Sequence, residues 1–195
     1  MLHNEIEFEK DICKHLASSG WLYEAGDAKK YDRALALFPE DVIAWVQDTQ
    51  PNAWEGLNKN HGASATSTLM SRLRVSLNKH GTLHVLREGF DMLGLRSSIR
   101  MAQFKPAFAA NPDIMRRYSA NRLRVVRQVR YSVHNELNID LVLFLNGIPV
   151  ATCELKTDFT QSVEDAVDQY RFTRNPKPKG QDPEPLLNFP SGALV

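Results

Sequence analysis

Cysteine is scarce in this chain, with two in 195 residues, and Cys13 and Cys153 lie far apart inside apolar-patterned segments. That excludes a disulfide-dense scaffold and a zinc site built from thiolates, and both thiols read as buried residues of a reducing compartment. No apolar run approaches the ~18–20 residues of a membrane span. The start, Met1-Leu-His-Asn-Glu-Ile-Glu, has neither the basic head nor the apolar core of a signal peptide, so a soluble, cytoplasmic chain with no membrane partner is expected. No G-x-x-x-x-G-K-[ST] phosphate loop occurs, which excludes a nucleotide-hydrolysing motor from these residues, and no internal repeat is visible. Net charge is almost absent, at +1. With 43% hydrophobic and 24% charged residues, what is present suits one globular domain with at most a small accessory lobe.

The low net charge hides a segregation. Residues 1–55 carry eleven acidic and five basic side chains, whereas residues 72–130 carry thirteen basic and three acidic ones. From Tyr131 onward the balance reverses, with nine acidic and five basic residues. A basic middle next to an acidic end suggests a nucleic-acid groove beside a cation-binding site. The competing reading scatters these arginines over solvated faces.

Asn4 is placed to cap a helix reaching Ser18, with Phe8, Ile12 and Leu16 on its apolar stripe. Asp27 to Leu37 reads as a short helix, and Pro39 starts another that carries Val42, Trp45 and Val46. Pro51 to Gly62, punctuated by Pro, Asn and Gly, reads as a loop with a turn of helix. Ser64 to Lys79 repeats Leu69, Leu73 and Leu77 at four-residue spacing. Ile99–Phe104 and Leu123–Tyr131 read as strands, with a short helix around Pro112–Ser119 between them. A helix is expected from Ser162 to Thr173, with Ser162 and Asp165 forming a capping box. The polar, proline-rich stretch after Asn175 reads as a connector.

The most informative stretch runs from Asn138 to Lys156. Asp140 heads a very apolar strand, Asn146-Gly147 marks a turn, and Glu154 and Lys156 follow on a second apolar strand. Charges in sheet-core segments cost free energy, so they are better explained by chemistry than by packing. The alternative is an ion pair at a sheet edge. Side chains alternate along a strand, so parity decides whether the three charges meet. A strict two-residue hairpin over Asn146-Gly147 puts Asp140 on the face opposite Glu154. A three-residue loop, Leu145-Asn146-Gly147, with Gly147 left-handed, unites them, and that loop, or another of odd length, is the expectation. Asp140 and Glu154 then sit as diagonal neighbours that repel unless a cation joins them. Oxygen ligands with open positions suit Mg²⁺, with Mn²⁺ as a substitute. Lys156 is placed to orient or deprotonate a water, or to stabilise charge on the phosphorane. A lysine must lose its own proton before it can accept another, which favours the electrostatic role.

Asp140 followed by Glu154-Leu155-Lys156 resembles the PD-(D/E)xK nuclease motif, with Ile139 in place of the proline. The fuller string from Ile139 to Lys156 is similar to the N-terminal nuclease domain of type I restriction enzyme R subunits. The segment Gln161 to Arg174 and an opening acidic helix that ends in Gly20-Trp21 extend the likeness. This resemblance implies an α/β fold, a restriction-endonuclease-like central mixed sheet of about five strands flanked by helices. It implies a metal held by Asp140, Glu154 and the carbonyl of Leu155. Gln169 and Tyr170 stand adjacent where the family often shows Q-x-x-x-Y, so Gln169 is expected on DNA or on the lysine. Tyr170, on the apolar stripe, reads as core. By the same likeness Glu5 or Glu9 supports the metal, a choice the sequence leaves open.

Residues 1–175 are thus expected to form the nuclease domain and 176–195 a connector toward a motor domain, in a chain that reads as truncated. The expected activity is Mg²⁺-dependent cleavage of double-stranded DNA in a complex with methylation and specificity subunits, with ATP used only through that motor. Arg122, Arg124, Arg127 and Arg130 are expected on the DNA backbone. Two other readings remain: a stand-alone repair or structure-selective nuclease, and a non-catalytic docking module on the same fold. His61, His80, His84 and His134 have no ligand spacing.

Overall fold

The computed structural model describes residues 2–108, 111–156, 163–188, 190 and 192. The N-terminal half is helical: α1 (Leu2–Ser18), a 3-10 turn (Asp27–Lys29), α2 (Pro39–Thr49), α3 (Pro51–His61), α4 (Ala65–His80) and α5 (Thr82–Glu88). After α6 (Pro112–Ser119) come the strands β1 (Leu123–Arg130), β2 (Asn138–Leu145) and β3 (Ile148–Cys153), then α7 (Val163–Asp168) running into a π-helical turn (Gln169–Thr173). The strands form an antiparallel sheet in the order β1-β2-β3. Leu22 bridges Arg124 in parallel, which gives the sheet edge a mixed character.

The expected α/β class holds, but among the described residues the sheet has three strands rather than five. The stretch 99–104 is not a strand; Ile99 makes a single antiparallel bridge to Phe90. Pro51 to His61 is a helix, not a loop. Proline at the first helical position has no lost N–H to account for, and Gly62, at φ 52°, ends the run. Within Asp27–Leu37 only Asp27–Lys29 is helical, as a 3-10 turn; the rest is turns and an isolated bridge between Asp32 and Leu37. Helix α1 begins before Asn4, which therefore does not cap it. Ser162 lies outside the described residues. At α6 a side-chain cap is present: Asn111 Oδ1 accepts from the N–H groups of Asp113 (2.9 Å) and Ile114 (3.3 Å).

Three apolar clusters hold these elements together. Val42, Trp45, Leu57, Leu69, Leu73, Leu77 and Val85 join α2 to α5, and Ile148 ties that cluster to the sheet. Cys13 of α1 packs on Val125 and Leu141. Tyr31, Phe38, Val126, Val142, Phe144 and Leu186 form the third. Leu186 belongs to the proline-rich segment expected as a connector, and that segment is docked rather than free. Glu184 is buried, accepts the Val133 N–H at 2.9 Å and is hydrogen-bonded by the Ser132 hydroxyl. Thr82 N–H donates to the Pro190 carbonyl at 3.0 Å.

The β2–β3 hairpin corrects the expected loop. Asn146 (φ 50°) and Gly147 (φ 81°) form a two-residue turn of the type that needs two left-handed residues. Leu145 pairs with Ile148 and Phe144 with Pro149. Asn146 is fully buried, with its side chain accepting from Arg122 N–H (2.7 Å) and donating to the Met101 carbonyl (2.8 Å) and Asn121 (2.9 Å). A Cβ on Gly147 would come within 2.5 Å of the Phe38 carbonyl oxygen, so the turn is wedged against the start of α2. Beyond the turn the register slips by one: Leu143 pairs with Ala151, Val142 with Thr152 and Leu141 with Cys153. The extra residue, Val150, is a bulge. It restores the parity that the two-residue turn would have broken.

Candidate active site

Continued by one residue, the bulged register sets Asp140 directly opposite Glu154, rather than diagonal to it. Asp140 Oδ2 accepts the backbone N–H of Leu155 at 2.8 Å, which fixes the carboxylate across the end of β3. Its Oδ1 is 3.4 Å from the amide nitrogen of Gln128. Gln128, opposite Asp140 on β1, has a left-handed backbone (φ 51°), and its position in the β1–β2 ladder carries no pairing. The same amide nitrogen donates to Glu9 Oε1 at 2.7 Å, and Asn138 donates to Gln128 Oε1 at 2.6 Å. Between the two acids left open on α1, Glu9 is therefore linked to Asp140 through one amide; the side chain of Glu5 lies outside the described residues.

Glu154 has a side chain only 3% exposed and pairs with the guanidinium of Arg174. Burial, followed by the charge of Asp140 and a hydrogen bond to it, pushes the Glu154 carboxyl from 4.5 up to about 7, against the opposing pull of Arg174 and Lys156. Lys156 Nζ donates to Gln169 Oε1 at 2.9 Å. Tyr170 is not apolar core: it is half-buried, and its hydroxyl donates to Thr152 Oγ1 at 2.8 Å. Burial raises the phenol to about 12, so it stays a neutral donor.

Two carboxylates at one end of a hairpin, each tied by protein donors, suit Mg²⁺, which takes one or two carboxylates and keeps several waters. Among the described residues no cluster of three or more His, Cys, Asp or Glu side chains converges on them. Glu9 stands behind, already held by Arg127 (2.7 and 3.0 Å) as well as by Gln128.

The four arginines assigned to DNA backbone are engaged within the domain. The Arg124 side chain is 4% exposed, pairs with Asp27 and Asp41 and lies 4.2 Å from the centre of the Phe38 ring. Arg122 pairs with Asp41 at 2.8 Å, Arg127 with Glu9 and the exposed Arg130 with Glu136 at 2.6 Å. The basic middle and the acidic N-terminal third attract each other, so much of the segregated charge is neutralised inside the fold. Sequence reasoning gave no role to Gln128 or Arg174. Gln128 carries no local signal among the arginines of β1, and Arg174 becomes visible only once the helix end is seen lying along β3.

No curated protein and no solved structure matches the chain. The family model for the type I restriction enzyme R protein N terminus matches residues 3–190, including the docked proline-rich segment. With that match, the chain belongs to the family of type I restriction enzyme R protein N-terminal domains.

Proposed function

We propose that this domain hydrolyses DNA phosphodiester bonds in a Mg²⁺-dependent reaction, as the cutting part of a type I restriction R subunit whose motor drives translocation with ATP. The observation that carries this reading is the facing pair Asp140 and Glu154, with Lys156 beside it. Asp140 and Glu154 would hold the cation, with Mn²⁺ as a substitute, and the Leu155 carbonyl is proposed as a third oxygen. The bound cation would supply a Lewis acid for the scissile phosphate and an acidified water. Lys156, oriented by Gln169, places a positive charge where negative charge grows on the phosphoryl group as the water oxygen bonds phosphorus and the ester bond breaks. The chemical division is simple: carboxylates for the cation, ammonium for the phosphate. Recognition of a sequence would belong to the specificity subunit, and cleavage would occur in the complex that also contains the methylation subunit.

A nicking assay on the assembled complex with Mg²⁺ tests this. Asp140→Ala and Lys156→Ala should each abolish cleavage and leave DNA binding largely intact. Cleavage that survives Asp140→Ala would sink the proposal and leave the domain a docking module.

A further inference from the structure

The segment after α7 touches β3 and its continuation at three alternate residues. Tyr170 reaches Thr152, Arg174 reaches Glu154, and Gln169 reaches Lys156. Alternation puts 152, 154 and 156 on one side of an extended strand. Matching them needs Gln169 and Arg174 on one side of their own element. In an α-helix, residues five apart point about 140° away from each other. The π turn solves this, because the Arg174 N–H donates to the Gln169 carbonyl at 2.9 Å, five residues back. Such turns recur at functional sites.

Arg174 itself is fixed from several sides. Its side chain is 5% exposed, and its guanidinium carbon lies 5.2 Å from the centre of the Tyr131 ring and 5.8 Å from that of Tyr170. It pairs with Glu154 Oε1, an oxygen with no other hydrogen-bond partner among the described residues. Asp140 is anchored alike: Oδ2 is tied at 2.8 Å by Leu155, and Oδ1 lies 3.4 Å from the Gln128 amide nitrogen. One oxygen of each carboxylate is thus anchored, Oδ2 of Asp140 and Oε1 of Glu154.

We propose that Arg174 is a positioning residue of the metal site, taking one oxygen of Glu154 so that the other is held toward Asp140. The proposal rests on the metal-site reading given above. It is tested by titrating Mn²⁺ into the full chain and following free Mn²⁺ by electron paramagnetic resonance, for wild type, Arg174→Met, Arg174→Lys, Glu154→Gln and the double variants. Arg174→Met should weaken Mn²⁺ binding ~10–100-fold, the range for loss of a residue that orients a ligand. Arg174→Lys, which keeps the charge but not the fork, should fall between Met and wild type. In the Glu154→Gln background neither change should weaken binding further. Should Arg174→Met not fold by circular dichroism, Arg174→Lys in the two backgrounds carries the same comparison. Binding that is equal or tighter in the Arg174 variants, or an equal loss in the Glu154→Gln background, overturns the proposal alone. Wild-type protein that binds no Mn²⁺, or binding indifferent to Asp140→Ala, overturns the metal-site reading and the proposal with it.

Discussion

Two groups of charged residues flank the sheet, and they are built differently. In the first, Asp27 and Asp41 face Arg124, with Arg122 also on Asp41, so the two buried carboxylates are met by two guanidiniums. In the second, Asp140 is held by a backbone N–H and an amide and the ammonium of Lys156 by an amide oxygen, while of the three only Glu154 is met by a guanidinium, that of Arg174. Neutral partners orient a charge without cancelling it, and that leaves the charge available to a ligand. Matched ions consume each other and give rigidity instead. This contrast separates the structural cluster from the candidate site more sharply than residue type does, since both contain aspartates and cations.

The comparison breaks most visibly at Arg124. Arg124→Met strands Asp27 and Asp41 without their shared cation, and should cost about 3–5 kcal/mol in urea unfolding. A loss under 1 kcal/mol would mean that the first cluster is not the closed network described.

Next is the pH response of Glu154. Its folded value of about 7 lies above the ordinary 4.5, so between these pH values the native state binds more protons than the unfolded chain. Stability is therefore greatest below this window and falls as pH rises through it, by on the order of 3 kcal/mol in metal-free protein. Urea unfolding with a chelator at pH 5 and pH 7.5 should show that fall, and Glu154→Gln should remove it. An unchanged slope in the variant would rule out Glu154 as its source.

Asp140→Asn should have the smallest effect on folding. It removes a charge that repels Glu154, so metal-free stability should stay within about 1 kcal/mol of wild type or rise slightly. Mn²⁺ binding should nevertheless be lost, as a titration would show. Destabilisation on the scale of Arg124→Met would place Asp140 in the structural class.

Legibility in the sequence followed the locality of the signal. The strands around Val126 and Val142 and the leucine repeat of α4 were readable because burial imposes a period on consecutive residues. The pair of carboxylates stood out because charge is rare inside apolar strands. Helix α3 was missed because its Asn- and Gly-rich composition outweighed the first-position proline. The ion pairs of Arg122, Arg124 and Arg127 were not legible because their partners Glu9, Asp27 and Asp41 come from distant segments. The odd loop was misread for a subtler reason: parity was required, and Val150 supplies it as a bulge, a device with no residue signature here.

The sequence by itself determined the α/β class and the family likeness, and it singled out Asp140, Glu154 and Lys156 as candidates, since each depends on local pattern. Only the tertiary structure decided that a bulge rather than a loop aligns them. It alone placed Glu9 behind Asp140 through Gln128, and it turned Arg174 onto Glu154 through a π turn. Those outcomes depend on which distant surfaces meet, and contact between residues far apart in the chain leaves no period to read.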